Sequence, residues 1–357
     1  MPAASPSVRH DGFGVELAVR ATELALRPLQ VLASVPSLLF LAALTAMLLR
    51  PPFPFLFEID RLAFGLFVVG VTVRVVVMRE RLFAFRATWP MIGLSALATA
   101  SLLFRPFDSE AWSVLAAKFL VPFTLFHLAA LVFTHERRLR QFEVFALAVL
   151  AYLSFIAIAF LAGMHSLIFP RFIVDESLGY HLDRARGPFL QAVANGMSLN
   201  LLGLLALHAY RRGSVRGAKM VLLLASVPIA ILATMTRTVW LSFAGSVMAL
   251  VFVSRDRKVR RACVGLTLVT AAGLAVVVTS TAMLGALTDR VEERGPIEYR
   301  AAVYAGSWQM FLERPLTGWG FHQMPAELPR YVSGYDEKVL YPHNTYLEML
   351  VEQGGWA

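Results

Sequence analysis

The chain has 357 residues, of which 57% are hydrophobic and only 16% charged, with a mean hydropathy of +0.63. A soluble domain carries nearer a quarter charged residues, so a water-soluble globular protein is excluded, and the long apolar blocks are those of membrane spans. The net charge of +9 does not make a nucleic-acid binder, because the basic residues are scattered through short connectors and form no contiguous patch.

The first strong apolar run begins near Val31. That is too far in, and too poor in small cleavage-site residues, for a cleavable signal peptide. Residues 1–29 therefore read as a cytoplasmic tail, with an interfacial helix over Glu16 to Gln30. Nine complete spans follow, at 30–49, 60–78, 88–104, 113–134, 143–162, 188–210, 218–235, 237–254 and 262–284. Most have the ~17–25 residues that cross a bilayer core, and backbone in lipid must pair with itself, so the spans are helices. The expected fold is an all-α polytopic integral membrane protein, with about nine transmembrane helices, the start of a tenth and one large external loop. Thr236-Arg237-Thr238 interrupts a nearly continuous apolar stretch and reads as a tight external turn. The single cysteine, Cys263, cannot form an intrachain disulfide and is silent on compartment.

Orientation follows from lysine and arginine. With the N-terminus cytoplasmic, the inside connectors hold the dense basic clusters, such as Arg137, Arg138 and Arg140, and Arg255, Arg257, Lys258, Arg260 and Arg261. The short outside loops hold fewer, as the positive-inside rule requires. The membrane domain is then 30–284, and residues 285–342 form a large periplasmic loop. That loop opens with a charged patch from Asp289 to Arg294. A helix is expected over Glu298 to Glu313, with Tyr304, Trp308 and Phe311 near one face, suited to lie on a membrane surface. Arg314-Pro315 ends it, and Gly318-Trp319-Gly320 is a turn. A further span begins near Tyr346. Residues 343–357 are too few to cross, so the sequence is expected to be a C-terminally truncated fragment.

Three sets of polar residues meet at the outer face on this topology. The first is Arg184-Ala185-Arg186-Gly187-Pro188-Phe189, with Pro188 expected in the first turn of the next helix. Arginines beside a helix N-terminus suit an anion, and equally an interfacial anchor. The second is Arg237, placed to hold phosphate oxygens or to snorkel to the headgroups. The third is His343, whose ordinary pKa near 6.5 suits it to accept a proton at neutral pH, and which also fits an interface residue. Asn344 and Glu348 are placed to orient it. Lys118, near the outer end of its span, is placed to snorkel or to add a cation to the outer site, and Asn195 faces the bundle or a cavity. No His/Cys cluster stands at metal-ligand spacing, so no metal and no cofactor are expected, and cations would neutralise any phosphate.

Four motifs in this order resemble the O-antigen ligase and O-antigen polymerase superfamily. They are Arg184-x-x-Gly187-Pro188-Phe189 followed by Asn195; Thr236-Arg237-Thr238-Val239-Trp240-Leu241; Arg300 and Trp308 with Pro315-Leu316-Thr317-Gly318-Trp319-Gly320; and His343-Asn344-Thr345-Tyr346-Leu347 with Leu350-Val351-Glu352-Gln353-Gly354-Gly355. The resemblance covers about residues 180–357. Thr236 stands where the family usually has serine, and Val239 where glycine is common. The family usually continues with about two more spans.

The resemblance implies a metal-independent glycosyltransferase of the GT-C-like type in the bacterial inner membrane, active at the periplasmic face. Its donor would be an undecaprenyl-diphosphate-linked glycan. Its acceptor would be lipid A-core, another glycan or a protein hydroxyl. Arg184, Arg186 and Arg237 would bind the diphosphate and His343 would be the catalytic base, or a positioning residue for the acceptor hydroxyl, with Asn344, Asn195, Arg300 and Lys118 in support. Membrane lipids are the other expected partner, and nucleic acid is not one. The same arginines also suit a transporter of a small, bicarbonate-like anion, although a transporter places its site near the midplane. A non-catalytic partner of a polysaccharide export system is a third reading.

Overall fold

A computed structural model describes all of the chain except residues 1–26, 29, 53–57, 80–83, 180–181, 215–216, 280–294, 334–339 and 357. The tail expected to be cytoplasmic, with most of its expected interfacial helix, and the patch from Asp289 to Arg294 lie outside the described residues. Among the described residues every regular element is helical. In chain order these are α1 (Pro36–Leu48), α2 (Ile59–Met78), α3 (Thr88–Leu103), α4 (Ser109–Val132), α5 (Glu136–Leu161), α6 (Ala192–Arg212), α7 (Ala218–Ala233), α8 (Arg237–Val253), α9 (Arg257–Thr279), α10 (Gly295–Glu313), α11 (Met324–Glu327) and α12 (Thr345–Gln353).

Helices α1 to α9 lie over the windows that hydropathy marks as spans. By length and composition, α4, α5 and α6 are long and apolar enough to cross a membrane. Helices α1, α3, α7 and α8 are apolar but shorter. Helix α4 is not uniform: Ala116–Leu120 forms a π turn, and Lys118 lies in it.

The chain divides into two compact units. The first comprises residues up to 81 and 132–284, and so holds α1, α2 and α5 to α9. Its core is aliphatic, with Leu150, Leu153 and Ile156 of α5, Leu199 and Ala206 of α6, and Val227 and Ile231 of α7 all buried. Small residues set the helix spacing. A Cβ on Gly196 of α6 would come within 2.5 Å of Val239 on α8, and one on Gly203 within 3.1 Å of Val227 on α7. Side-chain hydrogen bonds also join helices here, Asn200 to Ser242 at 3.0 Å and Ser37 to Gln141 at 2.8 Å. Close approach at glycine and interhelical polar bonds are how helices associate where lipid offers no hydrophobic drive.

Two local expectations change in this unit. Pro188 does not start the next helix. It sits in a short 3-10 turn, Gly187–Phe189, and Leu190 is left-handed at φ 53, so α6 begins only at Ala192. Between α7 and α8 the chain does turn tightly, with Met235 left-handed at φ 46. That turn tolerates burial because its hydroxyls bond backward, Thr234 to the Ile231 carbonyl at 2.7 Å and Thr236 to the Thr234 carbonyl at 2.8 Å.

The second unit comprises residues 82–131 and 285–357, and so holds α3, most of α4, and α10 to α12. This division differs from one drawn on hydropathy, because Phe321 packs with Ala98 and Leu102 of α3 and Leu115 and Phe119 of α4. Helix α10 presents Val303 and Met310 to a second cluster with Met324, Leu328 and Val351. Helix α12 ends at Gln353, and a short 3-10 turn, Gly354–Trp356, follows it. Its last turn, Val351 to Gln353, is buried in protein, and Gly354 leaves the helix at φ 74.

That helix end is clasped by the Pro-Leu-x-Gly-x-Gly segment through backbone alone. Trp319 N–H donates to the Val351 carbonyl at 2.9 Å, Gly320 N–H to the Glu352 carbonyl at 2.7 Å, and Gly355 N–H to the Pro315 carbonyl at 2.7 Å. The chains are so close that a Cβ on Gly318 would stand 2.4 Å from the Glu352 oxygen, and one on Gly354 2.3 Å from the Leu316 oxygen. Both glycines have positive φ, which costs other residues about 1–2 kcal/mol. Gly318→Ala should therefore destabilise the protein by roughly 2–4 kcal/mol and lower its thermal unfolding midpoint in detergent. Gly65→Ala on α2, where a Cβ meets nothing within 4 Å, should leave that midpoint unchanged or raise it.

Candidate functional site

In the first unit the arginine loop is pinned at one residue. Ala185 donates its N–H to the Ala233 carbonyl at 3.1 Å, at the end of α7, and its carbonyl accepts from the Asn195 amide at 2.9 Å. The Arg184–Gly187 segment is thereby held against the turn that leads into Arg237, the first residue of α8. Gly187 is required for this, since a Cβ there would overlap the Asn195 side chain at 2.5 Å and its φ is 61. Asn195 is fully buried, and its Oδ1 has no hydrogen-bond partner among the described residues.

The arginines differ in kind. Arg186 is buried, at 2% exposure. It turns inward and donates to the carbonyls of Ile173 at 2.8 Å and Asp175 at 3.0 Å, and also to that of Leu178. Burial lowers its pKa and the Asp175 carboxylate raises it, but an arginine starts so high that it stays charged. Hydrogen bonds from the Ser177 hydroxyl and N–H, and then the Arg186 charge, hold the Asp175 carboxyl below its usual range. Arg186 is thus the clamp of the 171–179 loop, and its donors are turned away from any anion outside. Arg184 is half-buried and lies 3.8 Å from the Asp183 carboxylate. Arg237 is half-buried at the N-terminus of α8.

In the second unit His343 is exposed and left-handed, at φ 48. It makes no hydrogen bond or ion pair among the described residues. The next residue, Asn344, is the N-cap of α12, and its side chain accepts from the Leu347 N–H at 3.3 Å. Glu348 follows at i+4 on the same face and pairs with Lys118 from the π turn of α4 at 2.5 Å. Glu348 is mostly covered and Lys118 largely exposed, so the pair orients α12 more than it stabilises it. Arg300 is exposed on α10.

Sequence reasoning missed the parts that hold this end together. Glu352, one further turn along α12, is buried, with the backbone of His322 and Met324 near its carboxyl. Arg105 donates to the Trp319 carbonyl and fills the space that a Cβ on Gly320 would need. Trp319 is gripped on its face by the Arg314 guanidinium at 4.2 Å, and its indole N–H donates to the Met310 carbonyl at 2.8 Å. The spacing of Asn344, Glu348 and Glu352 by four was the available signal for a polar helix face. Nothing local announces Arg105.

A family model described as O-antigen ligase matches residues 220–357. Over those residues the chain is similar to the O-antigen ligase family. The matched region takes in Arg237, Arg300, the 315–320 clasp and His343; Lys118, Arg184, Arg186 and Asn195 lie before it. The similarity points to a membrane-bound, glycosyl-transferring ligase or polymerase of polysaccharides. No curated protein and no solved structure matches the chain.

Asn195→Ala removes one buried hydrogen bond and leaves the Ala185 carbonyl unsatisfied, so it should cost about 1–3 kcal/mol. The thermal unfolding midpoint of the purified protein should fall by a few degrees.

Proposed function

We propose that the protein transfers a glycan from an undecaprenyl-diphosphate carrier to an acceptor hydroxyl at the periplasmic face of the bacterial inner membrane. In this reading all nine apolar helices cross the bilayer with the N-terminus cytoplasmic. The observation that carries the proposal is the ligase-family match over 220–357, with His343 exposed at a capped helix start inside it.

The chemistry is a displacement at the anomeric carbon. The acceptor oxygen forms a bond to that carbon while the bond from carbon to the diphosphate oxygen breaks, its electron pair leaving with the diphosphate. His343 accepts the hydroxyl proton. Arg237 and Arg184 neutralise the growing charge on the leaving diphosphate. Arg186 acts as a positioning residue, through the loop that carries Arg184. The exposed, left-handed backbone at His343 fits a residue held for reaction, since such strain persists only where the surroundings enforce it.

His343→Ala and Arg237→Ala should each lower transfer by roughly 10²–10⁴-fold with the protein still inserted in the membrane. The measurement is a surface-polysaccharide gel from a deletion strain complemented with each variant. Wild-type polysaccharide in both would contradict the reading. In the uncomplemented strain, loss of all long chains with an intact core indicates a ligase, and caps of a single repeat indicate a polymerase.

A further inference from the structure

Helix α10 buries one face and exposes a second that is also apolar. Val303, Gly306, Ser307 and Met310 are buried, at the i, i+3, i+4, i+7 spacing of a face turned to a core. Ile297, Tyr304, Trp308 and Leu312 fall on another stripe and are all exposed, as are Ala301 and Ala305 among them. Phe311, expected beside Tyr304 and Trp308, packs instead with the core cluster. At the helical period, exposed Arg300 borders the stripe on one side, and exposed Glu298 and Gln309 border it on the other. The stripe runs for about 22 Å at 1.5 Å per residue. A helix facing only water carries polar residues on such a face.

Contacts within the second unit set the level of this stripe. Helix α3 ends at Leu103. In its last turn the Ser101 hydroxyl accepts the Phe321 N–H at 2.8 Å. Arg105, two residues past the end, donates to the Trp319 carbonyl, and the Trp319 indole N–H donates to the Met310 carbonyl of α10 at 2.8 Å. One residue, Trp319, thus ties α10 to the point where α3 leaves the bilayer. Tyrosine and tryptophan on an apolar stripe at that level suit the lipid interface, where each buries a ring and keeps a polar tip in water.

We propose that α10 rests with this stripe in the headgroup layer of the bilayer, as an interfacial helix of the leaflet where α3 ends. From the function proposed above the inference takes only that α3 crosses the membrane. It bears on the site because α12 packs on the buried face of α10, with Leu347 and Val351 against the cluster that holds Val303 and Met310. The level at which α10 rests therefore sets the level of His343, next to the start of α12.

The test reads lipid contact directly. The single cysteine, Cys263, is buried, so a thiol-reactive nitroxide labels an introduced cysteine. Tyr304→Cys, Leu312→Cys, Glu298→Cys and Gln309→Cys are each labelled in the full-length protein and placed in vesicles of phosphatidylethanolamine and phosphatidylglycerol. Labels replacing Tyr304 and Leu312 should collide with dissolved oxygen and be shielded from a water-soluble nickel chelate. Labels replacing Glu298 and Gln309 should show the reverse ratio of the two collision rates. Equal nickel access at all four positions would overturn the proposal. So would shielding of the Tyr304 and Leu312 positions from both reagents, which marks a protein partner or a second copy on the stripe. The labels report lipid contact whether or not glycan is transferred, so a lipid-seated but inactive protein would strike the enzymatic reading alone.

Discussion

The second unit depends on a clasp of three backbone hydrogen bonds between residues 315–320 and the end of α12. Two glycines facing each other with positive φ make the contact possible, because either Cβ would collide with the opposite backbone. From that clasp the other features follow. Trp319 is fixed over Met310, the backbone at 322–324 is brought to the buried Glu352 carboxyl, and α12 is stopped at Gly354. With its far end locked, the N-terminus of α12 presents His343, and Asn344 and the Lys118–Glu348 pair hold the helix from the other side.

The first unit uses the same economy with a different residue. Ala185 has no functional group, yet both its backbone groups are bonded, one to α7 and one to Asn195. A residue pinned at N–H and C=O fixes its neighbours, here Arg184 and Arg186, more firmly than either flexible side chain fixes itself. Burying the Arg186 charge is costly, and its bonds to the carbonyls of Ile173, Asp175 and Leu178 offset that cost and order the 171–179 loop.

Much of this was legible from the chain. Apolar blocks of span length placed the helices, because lipid leaves the backbone no alternative. The break at Thr236-Arg237-Thr238 marked the turn, and Arg314-Pro315 the end of α10. The motif order of a known family located Arg237 and His343 within the later matched region. What was not legible depends on tertiary contact. Arginine spacing cannot show that Arg186 turns inward to backbone carbonyls. Pro188 is as compatible with a 3-10 turn as with a helix start, and only the left-handed Leu190 separates them. The π turn at Lys118, the Arg105 contact with Gly320 and the burial of Glu352 leave no local periodicity to read.

The central claim is that the chain moves a glycan off a lipid diphosphate. Its most direct test is the purified full-length protein in proteoliposomes, supplied with a radiolabelled glycan on undecaprenyl diphosphate and a core or glycan acceptor. The account predicts label on the acceptor together with an equal amount of released undecaprenyl diphosphate. A folded protein that binds the donor yet yields neither product, with every class of acceptor supplied, would contradict it.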